Sequence, residues 1–223
     1  MFNYWKLNII AGKRARTEAQ KQARLRMILS AAELHLADVG FEAFSMAALA
    51  RQLGMANGTL YLYVETREHL LLALFNETLE KCAVIFVNAL PLTQTDLDVV
   101  SLYYDTLITD PIYLSLASRL DSVIEHNVSI TALIVAKRKM LVTINGMSVP
   151  LSEHLAMSTK QAFDAVLSLA SLWLGAAQSD TGPAFEDREM PEDVSQIMKQ
   201  FTARNVFISN ACRILQGIRL EAL

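Results

Sequence analysis

Two short helical segments meet at a glycine in the sequence SMAALARQLGMANGTLYLY, residues 45–63. Ser45 stands at the capping position of the first segment, where a serine hydroxyl can accept from a free N–H group of the first turn. The apolar residues that follow keep the i, i+3, i+4, i+7 spacing of one buried helix face: Met46, Leu49, Ala50 and Leu53. Gly54 ends this segment, and the second begins three residues later at Asn57. The pattern predicts two short helices joined by a tight turn.

Helical signals continue through the rest of the chain. A long first helix is predicted from its cap at Thr17 to about Val39, where Gly40 closes it. Thr66 caps another long helix, and further helices are predicted at 95–108, 111–125, 128–146, 159–178 and 191–219. No alternation of period two is long enough for a sheet, so we expect an all-α fold of about nine helices.

The composition excludes two classes of protein. Apolar residues make up 52 % of the chain and charged residues 19 %, with a mean hydropathy of +0.28, which excludes an intrinsically disordered chain. The longest uncharged stretches, 82–95 and 165–179, are shorter than the ~20 apolar residues that a membrane-spanning helix needs. The two cysteines are no disulfide framework and no metal-ligand pair. We therefore expect a soluble, cytoplasmic protein with no membrane partner, no cofactor and no metal.

The net charge of −3 hides an uneven distribution. Residues 1–30 hold seven Lys and Arg against the single acid Glu18, whereas residues 71–223 are net acidic. A basic end on an acidic body favours a polyanion that docks at that end. A solvated tail would have the same charge, so the charge needs support from the shape of the segment beside it.

The second short helix provides that support through its outer arc. Leu60 and Tyr63 point toward the apolar face of the short helix that Ser45 caps. The opposite arc carries no acid and consists of Asn57, Gly58, Tyr61 and Leu62. Asn can pair bidentately with adenine in the major groove, and Tyr can reach a phosphate or a thymine methyl. Arg67, beside the free N–H groups of the next helix, suits a phosphate. These residues indicate a helix-turn-helix that reads DNA, although any helical bundle can contain such a corner.

Residues 45–70 resemble the DNA-binding segment of the TetR family of bacterial repressors. The resemblance runs from SMAALARQLG through MANGTLYLYVETREHL, and upstream it includes ILSAAELHL with Gly40 and Phe41, so that it covers about residues 21–75. It implies base contacts from Asn57, Gly58 and Tyr61. It implies phosphate contacts from four further residues: Ser45, Thr59, Tyr63 and Arg67.

Three positions depart from the family pattern. Ala56 replaces the usual serine cap of the recognition helix, at a cost of about 1 kcal/mol. Val64 replaces the usual Phe and fills less space between the helices. Ala47 stands where some members have a longer polar side chain, and it has nothing to donate to a base. These departures remove a little stability and narrow the sequence readout without abolishing DNA binding.

Three regions are predicted along the chain. Residues 1–16 form a basic extension, residues 17–66 the helix-turn-helix domain, and residues 67–223 a helical domain for effector binding and dimerisation. Within the extension, the three bases Lys13, Arg14 and Arg16 are candidates for an arm along the phosphates or in the minor groove. The alternative is an extension without a role.

The dimer prediction rests on the last two predicted helices. The helix at 159–178 is apolar on two sides. We therefore expect one side to be buried in its own domain and the other against a second chain. The expected interface residues are Ala165, Leu169, Leu172, Ala176, Phe201, Ile208, Cys212 and Leu215. A monomer that buries both faces internally is the alternative.

A candidate effector pocket is predicted between the fourth and eighth helices. Apolar walls with a few polar tips suit a small lipophilic molecule. The candidate lining residues are Phe86, Tyr103, Tyr104, Tyr113, His126, Asn127, Met140, Met147 and Trp173. Core packing uses the same residue types, so each residue has a purely structural alternative.

The expected function is that of a homodimeric repressor that binds an inverted-repeat operator in double-stranded DNA and is released by a small effector. One alternative is a DNA-binding dimer without any effector. The other is an all-α enzyme that uses Cys82 or His126. We expect no enzyme, because the sequence contains no nucleophile triad, phosphate loop or paired-carboxylate motif.

Overall fold

A computed structural model of the protein describes residues 18–179, 191–200 and 202–220. These ranges contain no β-strand and ten α-helices, which confirms the all-α prediction with one helix more than expected. The helices are α1 (Glu18–Ala43), α2 (Met46–Gln52), α3 (Asn57–Leu60), α4 (Arg67–Ala89), α5 (Asp96–Thr109), α6 (Tyr113–Ala117), α7 (Ile130–His154), α8 (Thr159–Ser179), α9 (Glu192–Gln200) and α10 (Ala203–Leu220). The predicted cap Thr17 lies outside the described residues.

The predicted helix caps at Ser45 and Thr66 are confirmed. Ser45 caps α2, which belongs with α1 and α3 to the part of the protein that we call the head, and Thr66 caps α4. The Ser45 hydroxyl accepts from Ala48 N at 3.4 Å, and the Thr66 hydroxyl accepts from His69 N at 3.0 Å. Gly40 has a φ of 76° and interrupts the helical backbone of α1 near its end, a conformation that costs a residue with a Cβ about 1 kcal/mol or more. These local signals place α2 and α3 at the end of α1 as the sequence predicts.

Three helix boundaries after α4 differ from the prediction. The helix expected at 111–125 is reduced to the five residues of α6, followed by a π-helical turn at Leu120–Ile124. The helix expected to end at 146 continues to His154 through Pro150, because buried residues such as Leu151 pack that segment against its neighbours. The helix expected at 191–219 is two helices, and the Thr202 hydroxyl accepts from Asn205 N at the start of the second.

The body is a bundle in which α4 is central. This helix packs against α1 of the head and against α5, α6 and α7, while α8 packs between α7 and α10. Its residues Leu70, Leu71, Leu72, Leu74 and Phe75 are all at most 4 % exposed, so α4 is covered on every side where head and body meet. No helix of the described residues is long and apolar enough to cross a membrane.

A phenylalanine between two arginines joins the head to the body. The Cζ atoms of Arg67 in α4 and of Arg119, which follows α6, each lie 4.7 Å from the centroid of the buried Phe41 ring. Arg67 also donates from Nη2 to the Phe41 carbonyl at 2.6 Å and from Nε to the Phe44 carbonyl at 3.2 Å. Arg119 donates to the Glu42 carboxylate at 3.0 Å. The end of α1 is thus fixed by cation–π contacts and by charge-assisted hydrogen bonds.

Arg67→Ala is expected to destabilise the protein by about 2 kcal/mol, because two buried carbonyls lose a charged donor and the Phe41 ring loses a cation. Urea unfolding followed by circular dichroism measures the change. Lys21→Ala, which removes an exposed base of α1, is the matched control and is expected to leave the midpoint unchanged. Equal midpoints for Arg67→Ala and the native protein would contradict this structural role.

Candidate nucleic-acid interface and effector region

The outer arc of α3 is presented to solvent. Asn57 and Gly58 are exposed, and the side chains of Tyr61 and Leu62 are 43 % and 70 % exposed, while Leu60 is fully buried against the rest of the head. Thr59 and Tyr63 are half-buried at the margin of this surface. The side chains that the sequence assigns to an outer arc therefore lie together on one exposed ridge, which we call the α3 ridge (Asn57, Gly58, Tyr61 and Leu62).

Gly58 has no structural role that requires a glycine. A Cβ atom built on its backbone would meet no atom within 4 Å, and its φ is not positive. Glycine in a helix costs roughly 0.5–1 kcal/mol relative to alanine. The absence of a side chain at this position therefore has no explanation inside the protein, and it leaves the backbone open to close approach by a partner.

The ends of the helices around the α3 ridge contribute polar groups. Ala56 precedes α3 without a side-chain cap hydrogen bond, as its lack of a hydroxyl predicts. Ser45 caps α2 through its oxygen, which leaves its O–H free to donate. On the exposed surface of the head lie the bases Lys21, Arg26 and Arg51. The candidate arm residues Lys13, Arg14 and Arg16 lie outside the described residues.

Arg67 is placed differently from the sequence expectation. Its guanidinium is committed to the carbonyls of Phe41 and Phe44 and to the Glu68 carboxylate at 3.1 Å. The side chain is only 25 % exposed. The Arg67 side chain therefore joins the start of α4 to the end of α1. A phosphate contact would have to use the N–H groups that remain.

The interior between α4 and α8 is filled by aromatic side chains. Six of the nine predicted pocket residues are buried there: Phe86, Tyr103, Tyr104, Tyr113, Met147 and Trp173. The aromatic rings among them contact each other, as in the edge-to-face contact of Tyr113 with Trp173, whose centroids lie 5.3 Å apart. Trp173 Nε1 also donates to the Tyr104 carbonyl at 3.4 Å. Among the described residues, the cavity beside Phe86, Tyr103 and Met147 measures about 10 Å³, which is room for roughly one water molecule.

His126 and Asn127 do not lie in this interior. Both are exposed, because the short turn after α6 carries them to the surface. His126 Nδ1 contacts the Asp121 carbonyl at 2.5 Å, and Asn127 donates to the Val123 carbonyl at 2.7 Å, so both side chains serve the turn itself. Met140 is half-buried on α7. His126 and Asn127 therefore do not line the predicted pocket.

Burial disfavours the charged forms of Cys82 and Tyr103 in the body. Burial raises the pKa of the Cys82 thiol to about 12, and burial raises the pKa of Tyr103 well above its usual value. A thiol with such a pKa holds almost no thiolate near neutral pH, and the thiolate is the reactive form. Within the described residues, no group of three or more His, Cys, Asp or Glu side chains could hold a metal ion.

The predicted dimer residues divide into two sets. Ala165, Leu169, Ala176 and Leu215 are at most 5 % exposed in the single chain, because α8 and α10 bury these faces against each other and against the bundle. In the single chain these four side chains therefore offer a partner almost no surface. Leu172, Ile208 and Cys212 are half-buried, and Phe201 lies outside the described residues.

The exposed face of α8 is a different one. It carries Leu167, which is 41 % exposed, and then Ser171 and Gly175 at successive intervals of four residues. A Cβ atom at Gly175 would meet nothing within 4 Å. The sequence prediction did not count this face among the interface residues, although the four-residue spacing of a leucine and two small residues is a signal for close helix packing.

Two family models match consecutive parts of the chain. The model described as "Bacterial regulatory proteins, tetR family" matches residues 28–74. The model described as "Tetracyclin repressor-like, C-terminal domain" matches residues 75–198, which is more than half of the chain. The border between the two models falls within α4, at the junction of head and body.

Similar proteins include the "Fatty acid metabolism regulator protein" of Bacillus subtilis (strain 168), which is 36 % identical over 58 residues, or 26 % of this chain and 30 % of that protein. A TetR transcriptional regulator from Rhodococcus sp. RHA1 has a similar structure, with a TM-score of 0.55 and 15 % identity over 88 % of this chain and 97 % of its own.

FadR from Bacillus subtilis, solved in complex with stearoyl-CoA, aligns with a TM-score of 0.50 and 14 % identity over 85 % of this chain and 96 % of its own. At these identities the solved structures show a shared fold. The family models carry the assignment further, because one of them alone accounts for more than half of the sequence. This chain belongs to the TetR family of transcriptional regulators, with a helix-turn-helix head on a helical C-terminal body.

Proposed function

We propose that the protein is a homodimeric repressor that binds an inverted-repeat operator and is released from it by a small, lipophilic effector. The observation that carries the DNA half is the α3 ridge, which is exposed, free of acids and open at Gly58. In this proposal Asn57, Gly58 and Tyr61 contact bases, Leu62 meets a thymine methyl, and the hydroxyls of Ser45, Thr59 and Tyr63 contact phosphates.

The need for a dimer follows from the size of the reading head. One helix-turn-helix reads one half-site, and two half-sites lie about 34–36 Å apart on one face of DNA. We infer that the exposed α8 face, with Leu167, Ser171 and Gly175, pairs with the same face of a second chain together with half-buried residues of α10. Two helices from each chain would then form a four-helix interface.

The effector half of the proposal draws on the family and on one structural neighbour. Residues 67–223 would hold the effector, and the structurally similar FadR of Bacillus subtilis was solved in complex with stearoyl-CoA. A ligand that prefers a different tilt of α4 would change the separation of the two α3 ridges and weaken operator binding by its differential affinity, typically about 1–3 kcal/mol. The filled interior favours one alternative, a DNA-binding dimer without an interior effector.

Gly58→Ala is expected to keep or slightly raise the stability of the protein but to weaken operator binding about tenfold or more, a loss of about 1.4 kcal/mol. The added methyl group meets no atom of the protein but stands where a base edge would approach. Fluorescence anisotropy with an inverted-repeat duplex selected from a random library measures the affinity.

Gly146→Ala is the matched control for Gly58→Ala. Gly146 lies on the exposed face of α7, and a Cβ atom there also meets nothing within 4 Å. This variant is expected to raise stability by up to about 1 kcal/mol and to leave operator affinity unchanged. Native affinity in Gly58→Ala would remove the α3 ridge from the DNA interface.

Leu167→Arg is expected to convert the dimer into a monomer, because a charge buried without a partner costs about 3–5 kcal/mol. Sedimentation velocity at micromolar concentration detects the change. Leu97→Arg, which alters an exposed leucine of α5, is the control and is expected to remain a dimer. A dimer in both variants would place the interface elsewhere.

Stearoyl-CoA is expected to raise the melting temperature of the protein and to release the protein from its operator. Its acyl chain would enter the interior between α4 and α8. Binding to the folded state stabilises it by about 2.7 kcal/mol at one hundred times the dissociation constant. Trp173 sits at the centre of this interior, so its fluorescence should change in Trp5→Phe protein. Unchanged melting and operator binding would favour the effector-independent alternative.

A further inference from the structure

A second candidate site lies where the head meets the body, apart from the filled interior. An open groove of about 230 Å³ runs between α1, α4 and α7. Its walls are mostly apolar and include Leu25 and Leu29 of α1, Leu72 and Ala73 of α4, and Ala132 and Val135 of α7. Pockets for drug-sized ligands measure about 300–1,000 Å³, so this groove suits a smaller molecule.

One side chain in the groove has an unsatisfied polar atom. Asn76 lines the groove and is only 3 % exposed. Its Nδ2 donates to the Leu72 carbonyl at 3.1 Å, whereas its Oδ1 has no hydrogen-bond partner. A buried acceptor without a donor costs about 1–3 kcal/mol. Because this oxygen has almost no solvent-accessible surface, a ligand with an N–H or O–H group satisfies it only when the Asn76 side chain turns toward the groove.

The neighbouring Glu77 gives the groove its charge preference. Glu77 also lines the groove and is half-buried, and within the described residues its carboxylate has no ion-pair partner within 4 Å. Lys139 also lines the groove, but its charge is paired with Glu80 at 3.0 Å. The nearby Lys81 is paired with Glu33 at 2.5 Å. Burial raises the pKa of Glu77 although both lysines act to lower it. An unpaired carboxylate beside an unpaired amide oxygen favours a cation that can donate hydrogen bonds.

We propose that the groove between α1, α4 and α7 binds a small lipophilic ammonium ion. Its N–H groups would meet the Glu77 carboxylate and, once the Asn76 side chain turns toward the groove, Asn76 Oδ1. Its apolar part would lie on Leu72 and Ala132. Carboxylate and ammonium form charge-assisted hydrogen bonds, which are about twice as strong as neutral ones. Because the groove joins the head to the body, its ligand would bias their relative tilt. This regulatory consequence rests on the proposed function, whereas binding does not.

Isothermal titration calorimetry with n-hexylammonium tests the site in the full-length protein. Hexanol and hexanoate, with the same chain and a neutral or negative head, are the comparison ligands. We expect n-hexylammonium to bind in the millimolar range or tighter, hexanol at least tenfold more weakly and hexanoate not at all. Equal binding of all three molecules, or no binding of n-hexylammonium, would overturn the proposal.

Two variants locate the binding. Glu77→Gln keeps the shape of the side chain and is expected to weaken n-hexylammonium binding at least tenfold with little effect on hexanol. Ala132→Leu fills the groove and is expected to abolish binding of both molecules. Glu153→Gln, which changes an exposed glutamate of α7 outside the groove, is the control with native affinity. Native affinity in both Glu77→Gln and Ala132→Leu would place the ligand elsewhere and overturn the assignment.

Operator binding separates this inference from the proposed function. With n-hexylammonium at saturation, the native protein is expected to lose operator affinity about fivefold or more, and Glu77→Gln is expected to lose none. Bound ligand without a change in operator affinity would overturn the regulatory role of the groove. Absence of any operator preference in the ligand-free protein would instead overturn the proposed function, while calorimetry would still decide the ligand site.

Discussion

One helix, α4, has to fit two hydrophobic cores at once. It packs against α1 of the head and against α5, α6 and α7 of the body. Twenty-three residues at 1.5 Å per residue make a rod about 35 Å long. Because a packed helix moves as a unit, a tilt of α4 in the body is transmitted to the head, and the orientation of the α3 ridge depends on how the body holds this helix.

Polar contacts join the head to the body on more than one side. Phe41 lies between Arg67 of α4 and Arg119 of the body, so the end of α1 is tied to both. The Ser129 hydroxyl at the start of α7 donates to Glu65 at 3.3 Å, a second tie close to the start of α4. The ion pair between Lys81 of α4 and Glu33 of α1 is a further tie, so the head is held at several points along its junction with the body. The groove between α1, α4 and α7 runs along the same junction.

Local chemistry was readable from the sequence, and long-range packing was not. The caps at Ser45 and Thr66 depend on a hydroxyl and its own first turn, so residue type and spacing were enough. The end of α7 was misplaced because Pro150 signals a break that burial of Leu151 outweighs. Periodicity showed that α8 has two apolar faces but could not say which neighbour covers Ala165. The exposure of His126 likewise depends on a turn geometry that no motif encodes.

The raised pKa of Glu77 shows why the groove between α1, α4 and α7 suits a charged ligand better than the filled interior does. Its pKa is raised in the folded protein, so the folded state binds a proton more tightly than the unfolded chain. Stability is therefore lost as the pH rises from the usual value of 4.5 through the raised one, because burial makes the ionised carboxylate a cost. A bound ammonium ion removes that cost and would lower the pKa of Glu77 again. Aromatic rings that already satisfy each other offer no comparable gain.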